Sequence, residues 1–331
     1  MQRRDLMKAG CAGGIAALLG PQLFAEVTET TRTAAGPVPR RPLGKTGCEL
    51  SVIGFGGIIL MGEDQEKGNR LVAEAMDRGV NYFDVAPQYG KGEAQQKLGP
   101  ALKPYRDKAF LACKTLKRDK AGAAADLRES LMALQTDHLD LYQMHSIKDL
   151  DKDVAVALGP GGALEAFVEA RQQGLVRYLG FSSHSVEAAL KAIETGLFDT
   201  ILHPVNFVCH FQNGFDTAPL EAARKQGMGM LALKAMARGP WPAEIKWADR
   251  PFKKAWYQPI DDPALAALAL RWTLSQGVTA AVSPGDERLF AMAVNVASQY
   301  KPLEPAEENA LREVARGLTP IFPQTPKPAR Q

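Results

Sequence analysis

Asn81-Tyr82-Phe83-Asp84, Phe110-Leu111-Ala112-Cys113-Lys114 and Leu139-Asp140-Leu141-Tyr142-Gln143-Met144-His145 are three short, strand-like runs that each end on a polar side chain. From Asp84 to Lys114 is 30 residues, and from Lys114 to His145 is 31. One strand–helix unit takes about 30 residues, so each polar end lies one unit beyond the last. In a closed parallel barrel the strand exits share one rim, where active sites form. Tyr89 follows Asp84 by five residues. The spacing therefore collects a carboxylate, a phenol, an ammonium and an imidazole on one rim, a set suited to proton transfer at an oxygen atom.

Working outward, the same alternation continues. Strands are predicted at Ser51–Phe55, Tyr82–Asp84, Ala109–Cys113, Leu139–Gln143, Tyr178–Ser182, Thr200–Val205, Met228–Leu233 and Thr279–Val282. They are short and apolar, as strands buried on both faces are. Helical spacing fills the gaps: Lys67–Arg78, Glu93–Leu102, Ala121–Leu134, Gly162–Gln173, Glu187–Thr195, Leu220–Gln226, Pro263–Ser275 and Asp286–Ala297. Gly79, Gly174, Gly227 and Gly277 close helices just before strands, where glycine suits the C-terminal cap. Eight strands alternating with eight helices predict an α/β fold, a single (β/α)8 TIM barrel. An open doubly wound sheet would need fewer repeats and a glycine-rich loop after its first strand, which is absent. Two β-like runs around Gly44-Lys45-Thr46-Gly47 predict an N-terminal β-hairpin, and Pro305–Arg316 predicts an extra C-terminal helix.

The 331 residues carry a net charge of +3, too small to argue for a nucleic-acid partner. No run of about 18 uncharged apolar residues predicts a spanning helix. Cys11, Cys48, Cys113 and Cys209 form no C-x-x-C, and the histidines lack metal-ligand spacing. No nucleophile–base pair of the hydrolase kind is evident. A lysine held by Asp84 would lower the pKa of the Tyr89 phenol, and a neutral His145 would point an N–H at the substrate oxygen. Taken singly, each of the four has an ordinary structural reading, and only their shared rim argues for chemistry. The long connection from Ala235 to Asp262 carries Trp241, Trp247, Trp256 and Tyr257. These aromatics either wall the substrate or anchor the loop on the barrel shoulder.

The ends read differently. Arg3-Arg4, a modest apolar run from Ala9 to Leu19, and a cut after Ala25 resemble a twin-arginine export signal. The organisation is then signal at 1–25, flexible linker at 26–39, barrel at 40–316 and Pro-rich tail at 317–331. The export machinery becomes a partner and the location periplasmic, or cytoplasmic if the signal is unused.

Arg41-Pro42-Leu43-Gly44-Lys45-Thr46-Gly47 with Ile53-Gly54-Phe55-Gly56-Gly57 resembles the opening of aldo/keto reductases. The stretch Gly79 to Gly90, Cys113-Lys114-Thr115, Asp140 to His145 and Gly174 to Ser182 are similar to further segments of that family, in order across about residues 40–300. The resemblance implies NADPH or NADH as electron source, a small carbonyl compound as substrate, a monomer, and Asp84, Tyr89, Lys114 and His145 as catalytic residues, with Tyr89 as the general acid. It also implies a nucleotide site drawn from Gly56, Ser182, Ser183, Asn206, Lys234, Arg238, Gly285, Arg288 and Asn295. Two departures stand out. Ser183 takes the place of the usual asparagine, and Asp286 and Glu287 crowd the adenosine end, where only Arg288 supplies positive charge. No cysteine follows Cys209, so the iron–sulfur cluster of some relatives is not expected. The alternatives on the same fold are a non-enzymatic nucleotide sensor or interaction subunit, and a barrel lyase or isomerase without nicotinamide.

Overall fold

The computed structural model describes residues 15–33 and 36–323. Arg3, Arg4 and Cys11 of the proposed signal, and the tail beyond residue 323, lie outside the described residues. The strands are β1 (Arg40–Pro42), β2 (Glu49–Ser51), β3 (Ile53–Gly56), β4 (Tyr82–Asp84), β5 (Phe110–Thr115), β6 (Leu139–Ile147), β7 (Val176–Ser183), β8 (Thr200–Pro204), β9 (Gly229–Leu233), β10 (Ala237–Pro240), β11 (Tyr257–Pro259) and β12 (Ala280–Val282). Strands β3 to β9 and β12 form a closed parallel barrel, in which β12 returns to pair with both β9 and β3. Each predicted barrel strand is present, Tyr82–Asp84 with the same bounds and the others with ends displaced by at most four residues.

Alternation along each strand sorts its side chains between two cores. Tyr82, Phe110, Ala112, Leu141, Leu202, Leu231 and Ala280 belong to the smaller cluster, which fills the barrel interior. Phe83, Leu111, Cys113, Tyr142, Met144 and Phe181 belong to the larger one, beneath the helices. The polar ends Asp84, Lys114 and His145 continue the inward parity of Tyr82, Ala112 and Leu141, which is why a strand exit turns them over the barrel mouth.

The hairpin β1–β2 closes the opposite end. Leu43 and Leu50 are fully buried in the interior cluster. Arg41 Nη1 donates to the carbonyls of Leu274 (2.7 Å) and Val278 (2.8 Å), and Asn81 binds both Ser51 N and the Glu49 carbonyl. Gly44 adopts φ +52 with its Cα against the Gly229 backbone, so close that a Cβ would fall 2.3 Å from Gly229 N.

Eleven helices of seven residues or more surround this frame among the described residues: α1 (Pro21–Glu29), α2 (Gln65–Asp77), α3 (Glu93–Leu102), α4 (Lys120–Ala133), α5 (Ala163–Gln172), α6 (Val186–Glu194), α7 (Phe207–Asn213), α8 (Thr217–Gln226), α9 (Pro263–Ser275), α10 (Glu287–Ser298) and α11 (Pro305–Arg316). No helix of the described residues is long and apolar enough to cross a membrane.

Three features depart from the sequence reading. Residues 26–39 do not begin as a linker. Helix α1 runs through Glu29 and packs on α9, with Val27 buried, and Gln299 and Asn295 donate to carbonyls at Thr30 and Thr31. Composition suggested flexibility, but buried Val27, Thr31 and Val38, with side chains donated from the C-terminal end of α10 and the residue after it, hold the segment down. Helix α7 was unforeseen; Asn206 starts it by accepting from Val208 N and Cys209 N. The start of the tail is also docked. Asn213 donates to the Phe322 carbonyl at 2.9 Å, and the Phe322 ring stacks on His184 and Phe215, each 5.1 Å between centroids.

Candidate active site

The rim brings the four side chains together. Lys114 and Asp84 form an ion pair whose side chains are 1% and 2% exposed. Burial on that scale is tolerable only for a paired and hydrogen-bonded charge. The second carboxylate oxygen, Asp84 Oδ2, accepts from Tyr82 (3.2 Å) and Gln143 (3.1 Å). Room for Tyr82 comes from Gly54, where a Cβ would meet the ring at 2.5 Å. Lys114 Nζ also donates to the Val85 carbonyl (3.3 Å) and to Tyr89 Oη (3.5 Å). The Tyr89 and His145 rings meet edge to face at 6.1 Å. All four therefore face one opening.

Electrostatics set their charge states. Burial is the strongest single influence on Lys114 and pulls it down, but the Asp84 charge and hydrogen bond, with Tyr89 and Cys113, together outweigh it and hold the ammonium above its ordinary range. Burial raises the Tyr89 phenol; Lys114 opposes this, and Asp84 adds to it. The net shift of the phenol is upward, against the lowering expected from the lysine alone. Desolvation outweighs an ammonium whose field Asp84 already offsets. Tyr89 consequently holds its proton at neutral pH. Burial, then Lys114, His184, Arg118 and Lys234, keep His145 well below its usual range, so its imidazole is neutral. His145 Nδ1 lies 3.0 Å from Gln88 Oε1. That contact places the ring proton on Nδ1; rotating the exposed Gln88 amide would offer Nδ1 a donor and place the proton on Nε2 instead.

The expected nucleotide residues divide. The Ser182 hydroxyl accepts from Ser146 N at 2.7 Å and keeps its own proton to give. Ser183 donates to the Ile147 and Ser185 carbonyls. Asn206 caps α7 with its oxygen and donates to the Lys234 (3.0 Å) and Ala237 (2.8 Å) carbonyls. Asn295 is bound by Arg78 and donates to the Thr31 carbonyl, out on the helical face where α1 docks. These three amide and hydroxyl groups are thus committed to the scaffold. Gly56 N donates to Ser283 Oγ, and Gly285 packs between Ile58 and Lys254. Arg238 reaches Gln258 at 3.3 Å across the β10–β11 ribbon. Arg288 is exposed, lies over Phe252 and contacts Asp286. Glu287 pairs with Lys67 at 2.9 Å, and Asp286 caps α10. Both acids at that end therefore have partners, which weakens their opposition to an anion.

Lys234 stands apart. Its backbone is left-handed at φ +64. Its ammonium lies 4.6 Å from the Tyr257 ring centroid and 5.5 Å from that of Trp256. The tryptophan-bearing connection is anchored on the barrel and also reaches the Lys234 ammonium. Trp241 is buried and anchors the loop through the Ala255 carbonyl, whereas Trp256, about half exposed, and buried Tyr257 flank the site.

Sequence reasoning missed Tyr82, Gln143 and Gln88. The first two sit two positions before Asp84 and His145, so the strand alternation that aims those catalytic candidates inward also carried their signal. Gln88 left none. Among the described residues no three His, Cys, Asp or Glu side chains group as metal ligands.

The fold is a parallel eight-stranded barrel whose rim joins a phenol, an ammonium–carboxylate pair and an imidazole. Residues 52–316 match the model of the aldo/keto reductase family, and the chain belongs to that family. Among curated relatives, the uncharacterized oxidoreductase YqkF of Bacillus subtilis is 32% identical over 159 residues, covering 44% of this chain and 48% of that protein. The aldo-keto reductase YhdN of the same organism is 28% identical, covering 60% of this chain and 62% of YhdN. The chain thus spans about half to three fifths of the length of these two relatives. L-galactose dehydrogenase of Arabidopsis thaliana is 25% identical, covering 85% of this chain and 94% of that one. The solved aldo-keto reductase AKR11C1 from Bacillus halodurans, in its holo form, superposes with a TM-score of 0.66 at 23% identity, covering 84% and 96% of the two chains. That likeness carries the fold.

Proposed function

We propose that this chain is an NAD(P)H-dependent oxidoreductase that interconverts an aldehyde or ketone and its alcohol, with Tyr89 as general acid and base. The observation that carries this reading is the protonated phenol of Tyr89, 3.5 Å from the Asp84-bound Lys114 ammonium and edge-on to a neutral His145. Family membership supplies the cofactor class. The residues fit it at two places: the Ser182 hydroxyl has a proton to give beside the catalytic rim, and Arg288 presents an exposed guanidinium at the far end. Ser182 and Arg288, with Gly56, Arg238 and Gly285 alongside, would hold the nucleotide, which is NADPH or NADH. A bound nicotinamide would supply the hydride that reaches the carbonyl carbon.

The chain's own residues handle the proton. With the Gln88 amide turned so that the His145 proton sits on Nε2, His145 and Tyr89 orient the carbonyl oxygen, and Tyr89 protonates it as negative charge develops there. Lys114 then stabilises the tyrosinate left behind, since an adjacent ammonium favours the charged phenol. Asp84, Tyr82 and Gln143 keep that ammonium in place. Run in reverse, the tyrosinate takes the proton of an alcohol.

The test is Tyr89→Phe. Oxidation of NADPH or NADH at 340 nm with a panel of aldehydes and ketones should fall by about 10²–10⁴-fold, the usual share of a general acid. Nucleotide affinity, read by tryptophan quenching, should hold. A Phe variant with undiminished turnover removes Tyr89 from the role. Nucleotide binding without turnover of any carbonyl would favour the sensor reading. We further propose that residues 1–25 direct export by the twin-arginine route, supported by the ordered basic, apolar and small-residue features of that segment; cell fractionation reads it.

A further inference from the structure

Lys234 is a cation without an anion. Among the described residues its ammonium has no carboxylate and no hydrogen-bond acceptor, only the Tyr257 and Trp256 rings. A partly buried ammonium held on aromatic faces keeps part of its charge unsatisfied. Asn206 explains how it comes to be there. By donating to the Lys234 and Ala237 carbonyls, it forces the turn that leaves Lys234 in the left-handed region. Such a backbone costs a lysine free energy, and strain of this kind collects at functional sites.

The direction of the side chain matters as much. Lys234 lies within electrostatic reach of Lys114 on β5, His145 on β6 and His184 after β7. It therefore lies at the end of the rim that holds Tyr89, whereas Arg288 and Gly285 follow β12, beside Phe252 and Lys254. The acid of the site, Asp84, is already spent on Lys114. Both histidines are neutral, His184 being pulled by burial to about 3. What remains beside the catalytic phenol is a net positive mouth with one free ammonium and one half-exposed indole face.

We propose that Lys234 binds the substrate rather than the nucleotide, and that the substrate is a carbonyl compound carrying a carboxylate. The carboxylate seats on the ammonium while the rest of the molecule lies along Trp256 towards Tyr89 and His145. This assignment rests on the oxidoreductase reading for its chemistry, but the anion site itself does not. The same oxyanion chemistry is offered by the nucleotide's diphosphate, so the experiment separates the two.

Titration calorimetry compares 4-carboxybenzaldehyde with methyl 4-formylbenzoate, on wild type and on Lys234→Met, with the oxidised nucleotide NADP+ or NAD+ bound so that the aldehyde is not reduced during the titration. Wild type should bind the acid about ten-fold or more tighter than the ester, the scale of one hydrogen bond to a charged group. Lys234→Met should bring that ratio to one, and Lys234→Arg should retain it. Nucleotide affinity should differ by less than about two-fold between wild type and Lys234→Met, because no bond to the diphosphate is lost. A wild-type ratio near one overturns the proposal. So does a Lys234→Met protein that loses nucleotide affinity while keeping the acid-to-ester ratio. Tight, Lys234-dependent acid binding with no turnover of any carbonyl would sustain the anion site and remove the oxidoreductase reading instead.

Discussion

At the residue scale, the Lys114–Asp84 pair decides whether the rim can exist. Both charges are buried, so removing one leaves the other uncompensated. Asp84→Asn should destabilise the protein by about 3–5 kcal/mol, measured by urea unfolding. Adding Lys114→Met should restore part of that loss, because it removes the orphaned charge. A single variant as stable as wild type would show that the pair is not electrostatically closed. Lys234 makes a second residue-scale statement. Burial, with Lys114 adding to it, draws its ammonium down to about 8. The protonated form is the one that attracts an anion. The acid-to-ester preference should therefore be full below pH 8 and fade as pH rises through it, while Lys234→Arg stays flat. The groups facing Lys234 are Lys114, His145, His184 and the Tyr257 phenol. The histidines are already neutral below this window, and the other two are raised above it. Sequence alone exposed the four rim residues because strand exits repeat at a fixed interval. It could not show that desolvation outweighs an ammonium at Tyr89, since that balance depends on how deep the phenol sits.

At the element scale, the hairpin β1–β2 is a floor. Its leucines complete the interior cluster, and Gly44 lets the turn lie flat on β9. Gly44→Ala places a Cβ against the Gly229 backbone in a left-handed conformation, and the loss should be about 1–3 kcal/mol, read from the shift in urea midpoint. No shift would mean that the floor does not bear on the barrel. The hairpin, every barrel strand and the helix Pro305–Arg316 were legible because their patterns are local: alternation, helical spacing, glycine punctuation. Helix α7 and the β10–β11 ribbon were not. Asn206 as a cap is one residue in an apolar stretch, and the ribbon pairs Ala237–Pro240 with Tyr257–Pro259 across a long connection whose register no local pattern announces. Ser183, Asn206 and Asn295 show the limit of motif matching. The resemblance put all three in the nucleotide site, yet their hydrogen bonds are taken up by the scaffold.

At the scale of the whole molecule, the segment before the barrel belongs to its surface. Helix α1 packs on α9, and Ala25 lies inside it. Cleavage there would divide a docked helix. If the export proposal holds, Arg3→Lys with Arg4→Lys should leave the protein in the cytoplasmic fraction, read by immunoblot; unchanged periplasmic recovery removes the twin-arginine reading. Closure of the ring has a separate consequence. Strand β12 zips onto β3, Ala281 against Ile53 and Val282 against Gly54, while Thr279 and Val278 bind the hairpin. The first barrel strand thus waits for the last. A chain still emerging from the ribosome cannot complete this ring until nearly all of it has been synthesised, and until then β3 offers an unpaired edge. Chaperone cover during translation is the cellular arrangement such a late seam calls for.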